Sequence, residues 1–241
     1  MKIYIPTCNQ STYLVEALLY SLNKYWSDYD NHKVVILGYD KPKFKLGDNV
    51  SFYSMGKHDP IEEWSTDLKK YFENVDDEYF IYMNDDGPLS KKIDSQLINL
   101  FYDILSQNKD SKIGRIGLTQ DISRRGHDEI GDYGDFKLIE AHQNSQYRTS
   151  TQFSIWSREY FLKYLKNSQT PWQFELQHPM NDGYRVLATK NKYCLDFYHL
   201  QRKGAHMSNN WDLSVYDRKK MVDNIEDYNF IKNIMKQGGL I

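Results

Sequence analysis

The stretch YFIYMNDDG, residues 79–87, decides the fold of this chain. Residues 79–83 are apolar without interruption, which predicts a buried strand of the kind found in parallel sheets. The polar run at 84–87 ends that strand abruptly. Ligands of open α/β sheets lie beyond the carboxyl ends of the strands, so the adjacent Asp85 and Asp86 stand where chemistry is expected.

Short apolar runs and amphipathic segments alternate on both sides of this stretch. The first amphipathic segment follows Ser11, which we predict to be a helix N-cap. The alternation predicts a single-domain α/β fold, in which an open, mainly parallel twisted sheet carries helices on both faces. The predicted strands are residues 2–5, 34–37, 50–54, 79–83 and 113–118, and the predicted helices are 12–25, 60–74 and 91–107.

The second half of the chain departs from this alternation. Residues 120–146 combine glycines, arginines and many acids, which predicts a long surface excursion. Regular structure should resume after it. The predictions there are strands at 149–156 and 193–198 and helices at 158–166, 171–188 and 214–235.

Composition narrows the classes of function. The 31 basic and 33 acidic residues nearly balance, which excludes the strongly basic character of a general nucleic-acid binder. The two cysteines, Cys8 and Cys194, form no CxxC pair, which favours a reduced intracellular compartment. No signal sequence and no run of about 20 apolar residues is visible. We therefore expect a soluble, cytoplasmic protein whose membrane contact, if any, is peripheral.

The pair Asp85 and Asp86 has two interpretations. Hard carboxylate oxygens at a strand end can hold a divalent cation and leave positions for phosphates and water. Alternatively, one of the two side chains forms an Asx turn and binds main-chain N–H groups ahead of Gly87 and Pro88. The sequence leaves both open.

The stretch PWQFE, residues 171–175, is a second candidate. A helix that starts near Pro171 places Trp172 and Glu175 three residues apart on one face, so that an aromatic ring lies beside a carboxylate. Such a pair suits a sugar, and Glu175 could serve as a general base. The alternative is a capping carboxylate in the first helical turn beside a core tryptophan.

The stretch RKGAH, residues 202–206, is a third candidate. Arg202 and Lys203 beside Gly204 could clamp a diphosphate, and His206 could add a contact to a metal or a phosphate. A basic surface loop is more often simply solvated.

The order of these motifs resembles the nucleotide-sugar glycosyltransferases of the GT-A type, in a bacterial and phage subgroup. The motifs that carry the resemblance span most of the chain. They are IYIPT at 3–7, EWS at 63–65, the double aspartate at 85–86 with the continuation LS at 89–90 and ID at 93–94, Gln152, IW at 155–156, PWQFE at 171–175 and RKG at 202–204.

The resemblance implies a GT-A-like fold, an activity and roles for single residues. It implies a metal-dependent transferase that moves a sugar from a nucleotide diphosphate, a UDP-sugar, to a carbohydrate acceptor, as in polysaccharide biosynthesis. Residues 1–120 would bind the donor, residues 121–212 would bind the acceptor and catalyse, and residues 213–241 would pack as a helix on the domain. Donor contacts would come from Pro6, Thr7, Asp40, Trp64, Ser65, Asp85, Arg202 and Lys203. Acceptor contacts would come from Gln152 and Trp172, and Glu175 would be the base. The ligands of Mn²⁺ or Mg²⁺ would be Asp86, Asp85 and His206.

Two departures from the subgroup and three rival functions accompany this hypothesis. Gly87-Pro88 replaces the usual bulky aromatics, and Ala205-His206 replaces a basic and aromatic pair, so that His206 could have become a metal ligand.

The rivals are a non-catalytic nucleotide- or carbohydrate-binding protein, a metal-dependent phosphohydrolase or nuclease built on Asp85 and Asp86, and a glycosidase that pairs Asp86 with Glu175.

Overall fold

The structure, a computed structural model, describes residues 1–57, 61–177, 180–202, 205–206 and 224–237. The chain divides into two compact units that are interleaved along the sequence. The first unit consists of Met1–Tyr4, Met55–Met83 and Asp94–Cys194, and the second of Ile5–Ser54, Asn84–Ile93 and Leu195–Ile241.

The described elements are strands, α-helices and short 3-10 helices. The strands are β1 (Ile3–Pro6), β2 (Val34–Gly38), β3 (Val50–Ser54), β4 (Tyr79–Tyr82), β5 (Ile113–Gly117), β6 (His127–Asp132), β7 (Lys137–Ala141), β8 (Ser154–Ser157), β9 (Arg185–Lys190), β10 (Gln201–Arg202) and β11 (Ala205–His206). The α-helices are α1 (Thr12–Tyr25), α2 (Trp64–Phe72), α3 (Ser95–Gln107), α4 (Arg158–Tyr164), α5 (Pro171–Glu175) and α6 (Ile225–Gln237). The 3-10 helices are Tyr29–Asn31, Ile61–Glu63, Lys109–Ser111 and Ile122–Arg124.

The first unit is built on a mixed sheet of order β1-β4-β8-β5-β9-β7-β6. Strand β4 pairs in parallel with the first residues of β1, and β5 pairs in parallel with β9. Strand β8 runs antiparallel to both β4 and β5, while β7 runs antiparallel to β9 and β6. The predicted α/β class is confirmed, and the sheet is parallel in part and antiparallel in part.

The stretch that decides the fold behaves as predicted. Strand β4 is buried over Phe80–Tyr82, and aromatic residues form the core around it. Phe80 stacks on Phe72 at 4.5 Å between ring centroids, and both rings meet Phe161 edge to face. Many of the chain's aromatic residues therefore serve as core, where their large rings bury much apolar surface.

Three sequence predictions in the second half are wrong. Residues 120–146 contain the hairpin β6–β7, whose outer strand β6 is polar and mostly exposed and therefore gave no apolar signal. The helix predicted over 171–188 ends at Glu175, and residues 185–190 form strand β9, because a short apolar run fits either structure. Residues 193–198 are not a strand; among the described residues they hold one isolated bridge, Leu89 with Phe197.

The second unit has the strand order β3-β2-β1, where β1 contributes its last two residues, and β2 and β3 are parallel. Helix α1 is packed against the C-terminal helix α6 through a cluster that includes Leu14, Ala17 and Ile231. Part of the C-terminal helix predicted over 214–235 lies outside the described residues.

A buried carboxylate fastens α6 to α1. Asp227, 1% exposed, accepts hydrogen bonds from Lys24 Nζ at 2.8 Å and from the Tyr25 hydroxyl at 2.5 Å. Burial, the larger effect, and the hydrogen bond to Asp227 together raise the pKa of Tyr25 to about 12, so this hydroxyl stays a donor at neutral pH.

None of the helices in the described ranges combines the length and the hydropathy that a bilayer span requires.

Candidate functional site

The second unit carries a carboxylate that two hydroxyl groups hold in place. Asp85 follows β4, and its Oδ2 accepts hydrogen bonds from Thr7 Oγ1 at 2.7 Å and from Ser11 Oγ at 2.6 Å. Thr7 and Ser11 lie 3.2 Å apart, oxygen to oxygen, in the loop after β1. These three side chains join the end of one strand to the loop after another, at positions 74 and 78 residues apart in sequence.

Ser11 does not act as the predicted helix cap. It stands at the N-cap position of α1, but no cap bond from its side chain is found in the described chain. Its hydroxyl donates to Asp85, while the Thr12 hydroxyl donates to the carbonyl of Cys8 at 2.7 Å. The Ser11 hydroxyl thus ties its loop to Asp85 by giving its proton, a role separate from capping, in which the oxygen would accept from a helix N–H.

Two opposing effects act on the half-buried Asp85 carboxyl. Burial raises its pKa, because it removes water from the charged form. The hydroxyls of Ser11 and Thr7 lower the pKa, as do the main-chain N–H groups of Asp85 and Asp86, and burial is the larger effect. The turn interpretation of the double aspartate is thus fulfilled in part by Asp85, whose oxygens are engaged within the protein.

Asp86 is joined through its main chain to the segment that leads to Arg202. The Asp86 carbonyl accepts a hydrogen bond from the N–H of Leu200 at 3.0 Å, and the Pro88 carbonyl accepts one from Tyr198 at 2.8 Å. Arg202 follows Leu200 by two residues and lies in β10, which pairs with β11. Asp86 and the main chain of Arg202 are therefore brought to one place in the second unit.

Parts of the basic segment are not described. Lys203 and Gly204 lie outside the described residues, and only the main chain of Arg202 and His206 is described. Their diphosphate and metal contacts remain predictions.

Asp40 belongs to the same unit and is joined to the loop after β1. Its Oδ2 accepts from Asn9 Nδ2 at 2.7 Å, and its main-chain N–H donates to Asn9 Oδ1 at 3.0 Å. The N–H of Thr7 donates to the Leu37 carbonyl at 2.8 Å, which aligns the end of β1 with β2. Sequence reasoning gave Asn9 no role and gave Ser11 only that of a helix cap; the signal for both was a run of polar side chains directly after β1.

A cavity of about 610 Å³ opens in the second unit beside the Asn9–Asp40 pair. Thr12, Tyr13 and Glu16 of α1 line one part of it, and Lys41, Lys43 and Phe44 line another. This volume lies within the range of small-molecule sites, and the mixture of rings, carboxylates and ammonium groups is polar enough to bind a charged ligand.

The candidate ligands for a divalent cation are the adjacent carboxylates of Asp85 and Asp86. No group of three or more potential metal ligands occurs in the described ranges. Magnesium-type sites commonly use one or two carboxylates, with substrate phosphates and water completing the shell. Two adjacent carboxylates at a strand end fit that pattern, so Asp86, with Asp85 beside it, could hold such a cation.

The first unit carries a second held carboxylate, Glu175. Its Oε1 accepts two hydrogen bonds from Thr151, from the main-chain N–H at 2.7 Å and from Oγ1 at 2.6 Å. Its Oε2 has no hydrogen-bond partner in the described part of the chain. One oxygen is therefore fixed, while the other can accept a proton.

The capping alternative for Glu175 is wrong. The capping box of α5 is formed by Thr170 and Gln173, which bond to each other's main-chain N–H groups. Trp172 is 43% exposed and so is not a core residue. Trp172 and Glu175 thus lie on one short helix without the structural duties that the alternative assigned to them.

Gln152 is oriented by a network that reaches a buried arginine. Its Oε1 accepts from Thr119 Oγ1 at 3.0 Å, and Thr119 lies 3.3 Å from Asp121. Asp121 is paired with the fully buried Arg115 at 2.7 Å. Since its carbonyl oxygen is used, the amide N–H groups of Gln152 are the ones left to bind a ligand.

Trp64 and Ser65 lie in the first unit and have internal contacts. Trp64 packs edge to face on Phe174 at 5.7 Å between centroids. The buried Ser65 hydroxyl donates to the Lys166 carbonyl at 2.6 Å and accepts from the N–H of Gln169 at 2.8 Å. The predicted nucleotide contacts of both residues remain untested.

Scans of protein-family models and of the curated proteins find no match to this chain. Among solved structures, the chain is similar to S. aureus TarS 1-349, with 15% identity and a TM-score of 0.49. That match covers 81% of this chain and 60% of TarS 1-349, so the chain spans less than two thirds of that protein's length. TarS 1-349 is also solved in complex with UDP-GlcNAc.

Two further solved structures are similar in fold. HddC from Yersinia pseudotuberculosis is 12% identical, with a TM-score of 0.49 over 93% of this chain and 99% of HddC. The mannosyltransferase PcManGT from Pyrobaculum calidifontis, in complex with GDP-Man and Mn²⁺, is 11% identical, with a TM-score of 0.40 over 84% of this chain and 57% of its own. Nucleotide-sugar enzymes are thus among the structures that this α/β chain resembles, and at TM-scores below 0.5 they carry nothing further about activity.

Proposed function

We propose that this protein is a metal-dependent glycosyltransferase that moves a sugar from a UDP-sugar to a carbohydrate acceptor with inversion at the anomeric carbon. One observation supports this most. Within one unit, Asp85 is bonded to the loop after β1, that loop is bonded to Asp40, and Asp86 is bonded to the segment that leads to Arg202. The residues that we assign to the nucleoside, to the cation and to the phosphates are thus linked within one unit.

The donor would be held by residues of the second unit. Asp40, fixed by Asn9, presents a carboxylate to the nucleoside. Asp86 would hold Mn²⁺ or Mg²⁺, and such an ion, when bound, supplies Lewis acidity toward the departing diphosphate. Asp85 positions the loop that bears both Thr7 and Ser11. Arg202 and Lys203 would balance the charge that develops on the diphosphate.

Proton transfer would be the task of Glu175. The acceptor hydroxyl oxygen forms a bond to the anomeric carbon as the bond from that carbon to the diphosphate oxygen breaks. The hydroxyl proton passes to Glu175 Oε2, while Oε1 stays bonded to Thr151. Attack opposite to the leaving group inverts the anomeric centre.

The acceptor would be bound by groups of the first unit. The exposed ring of Trp172 offers an apolar face to sugar C–H groups. The amide of Gln152, oriented by Thr119, donates to a hydroxyl oxygen. Trp172 precedes Glu175 by three residues in the same helix. Gln152 follows Thr151, which is hydrogen-bonded to Glu175.

Donor turnover tests the proposal directly. UDP-, GDP- and CMP-sugars would be incubated with the full chain and Mn²⁺, and hydrolysis or transfer to simple sugars would be followed. We expect turnover with a UDP-sugar, its loss in Asp86→Ala, and its retention in Glu73→Gln, which changes an exposed carboxylate at the end of α2. The absence of both turnover and a thermal shift with every donor would refute the proposal. Affinity without turnover would indicate a binding protein.

A further inference from the structure

The cavity of about 610 Å³ in the second unit contains a carboxylate that the protein itself does not use. Glu16 lines it from α1, one helical turn after Thr12, and is half-buried. Across the described ranges it has neither a hydrogen bond nor an ion pair. Burial raises its pKa. A partly desolvated carboxylate without a partner is costly unless a ligand supplies an N–H or O–H group.

Two ammonium groups in the same cavity are also unpaired. Lys41 and Lys43 alternate in the loop after β2, on either side of the buried Pro42. Neither forms an ion pair within the described chain, Glu16 included. Phe44, half-buried, adds an aromatic ring to the lining. The cavity therefore offers one unpaired anionic acceptor, two cationic donors and an aromatic ring, beside the rest of its lining, which includes Tyr13 and the carboxylate of Asp40 that is bonded to Asn9.

The bases of nucleotides differ in the pattern that this set would recognise. Uracil presents a ring N–H between two carbonyl oxygens, and guanine presents a ring N–H beside one carbonyl oxygen. Cytosine and adenine place an unprotonated ring nitrogen at the equivalent edge, whose lone pair would face the Glu16 carboxylate. An unpaired carboxylate with two cations thus matches a keto base with a ring N–H, and uracil has a group for each of the three.

We propose that this cavity binds the base of the nucleotide, with Glu16 as the residue that selects keto bases and accepts their ring N–H. The inference rests on the proposed function for its ligand, a nucleotide. Lys41 and Lys43 donate to the carbonyl oxygens, and Phe44 contacts the base. Asp40, already bonded to Asn9 at the cavity wall, is left to contact the ribose.

Nucleotide affinities of the Glu16→Gln variant test the inference. Titration calorimetry with UDP, GDP and CDP, each with Mn²⁺, should show that the wild type binds UDP most tightly and CDP at least about tenfold more weakly, the loss expected for one charge-assisted hydrogen bond. A glutamine can donate or accept, so Glu16→Gln should bind UDP and CDP within about threefold of each other. Glu73→Gln should keep the wild-type preference.

The outcomes separate this inference from the proposed function. A preference for UDP over CDP that survives Glu16→Gln overturns the role of Glu16, even if sugar transfer is observed. Wild-type preference for GDP over UDP keeps the keto-base selection and overturns the assignment of the second lysine. Base selection that depends on Glu16, found without any sugar transfer, overturns the proposed function alone. No affinity for any of the three nucleotides overturns both.

Should Glu16→Gln fail to fold, Glu16→Asp offers a second variant. It keeps the charge but shortens the side chain by one methylene group. We expect a folded protein that binds UDP about tenfold more weakly and still prefers UDP to CDP. Unchanged UDP affinity in that variant would contradict a direct contact with the base.

Discussion

Asp85 in the second unit and Glu175 in the first are both held by hydroxyl groups, but the two carboxylates are left in different states. Asp85 accepts two hydroxyls on one oxygen, and its main-chain surroundings supply more donors. Glu175 is held by one residue at one oxygen, and its other oxygen is without a partner in the described chain. The first arrangement suits a residue that orders a loop, and the second suits a residue that accepts a proton.

The largest expected effect comes from removing the ability of Glu175 to accept a proton. Glu175→Gln keeps an oxygen for Thr151 but cannot take up the acceptor proton. We expect the turnover number for transfer to fall by roughly 10²–10⁴-fold, the usual contribution of a general base. Donor affinity, measured by titration with UDP, should stay within about twofold. A variant that still transfers sugar at half the normal rate would remove Glu175 from the mechanism.

The next effect concerns Asp85 and folding. Asp85→Ala leaves the hydroxyls of Thr7 and Ser11 without their acceptor, and we expect a loss of about 1–3 kcal/mol in the free energy of unfolding. Asp85→Asn retains an acceptor oxygen and should fold with a stability close to that of the wild type at neutral pH. Urea denaturation of both variants measures the difference. Equal losses would show that the hydroxyl contacts contribute nothing.

The pH dependence of stability sharpens the same contrast. Because burial raises the pKa of Asp85 in the folded state, its ionised form costs stability above that pKa. The cost is relieved as the pH falls from the raised value toward the ordinary value of about 3.9. The wild type should therefore gain stability relative to Asp85→Asn over that window, as followed by urea denaturation at a series of pH values. A gain for Asp85→Asn at low pH would have the wrong sign.

A smaller effect is expected where Thr151 holds Glu175. Thr151→Val removes the hydroxyl bond and keeps the N–H bond. We expect the turnover number to fall about tenfold, which corresponds to roughly 1.4 kcal/mol. The Michaelis constant for the donor should not change, and Thr151→Ser should restore activity. Loss of activity in the serine variant as well would indicate a packing defect instead.

The smallest effect tests whether Ser11 serves Asp85 or the helix. Ser11→Ala should cost about 1 kcal/mol in the wild type and much less in the Asp85→Ala background, so that a double-mutant cycle shows coupling of at least about 0.5 kcal/mol. Ser157, which does cap α4 through a bond to the N–H of Tyr160, is the matched control and should show no coupling to Asp85. Additive losses at Ser11 and Asp85 would mean that their contact has no energetic weight.

Where the two carboxylates lie in the fold could be predicted from the sequence in part. A continuous apolar run that ends in Asn84 marks a buried strand and its end, so the place of Asp85 and Asp86 could be predicted. The start of the helix at Pro171 could be predicted from proline and its neighbours, but its end at Glu175 could not.

What holds the two carboxylates could not be predicted. Ser11 and Asp85 are 74 residues apart and meet only through the packing of distant strands. Local rules predicted only a helix cap at Ser11, because they consider neighbours in sequence and cannot include an acceptor from far along the chain. The same limit hid strand β9, whose partners β5 and β7 decide its conformation.

The contact between α1 and α6 makes the position of an N-terminal helix depend on the C-terminal helix. Asp227 grips Lys24 and Tyr25 from some 200 residues downstream, and the same helix α1 carries Glu16. A shortened protein that stops before residue 224 would lose this brace and uncover Leu14 and Ala17. The truncated protein would then be poorly soluble and would fail in binding assays for that reason. Binding should therefore be measured with the C-terminal helix intact.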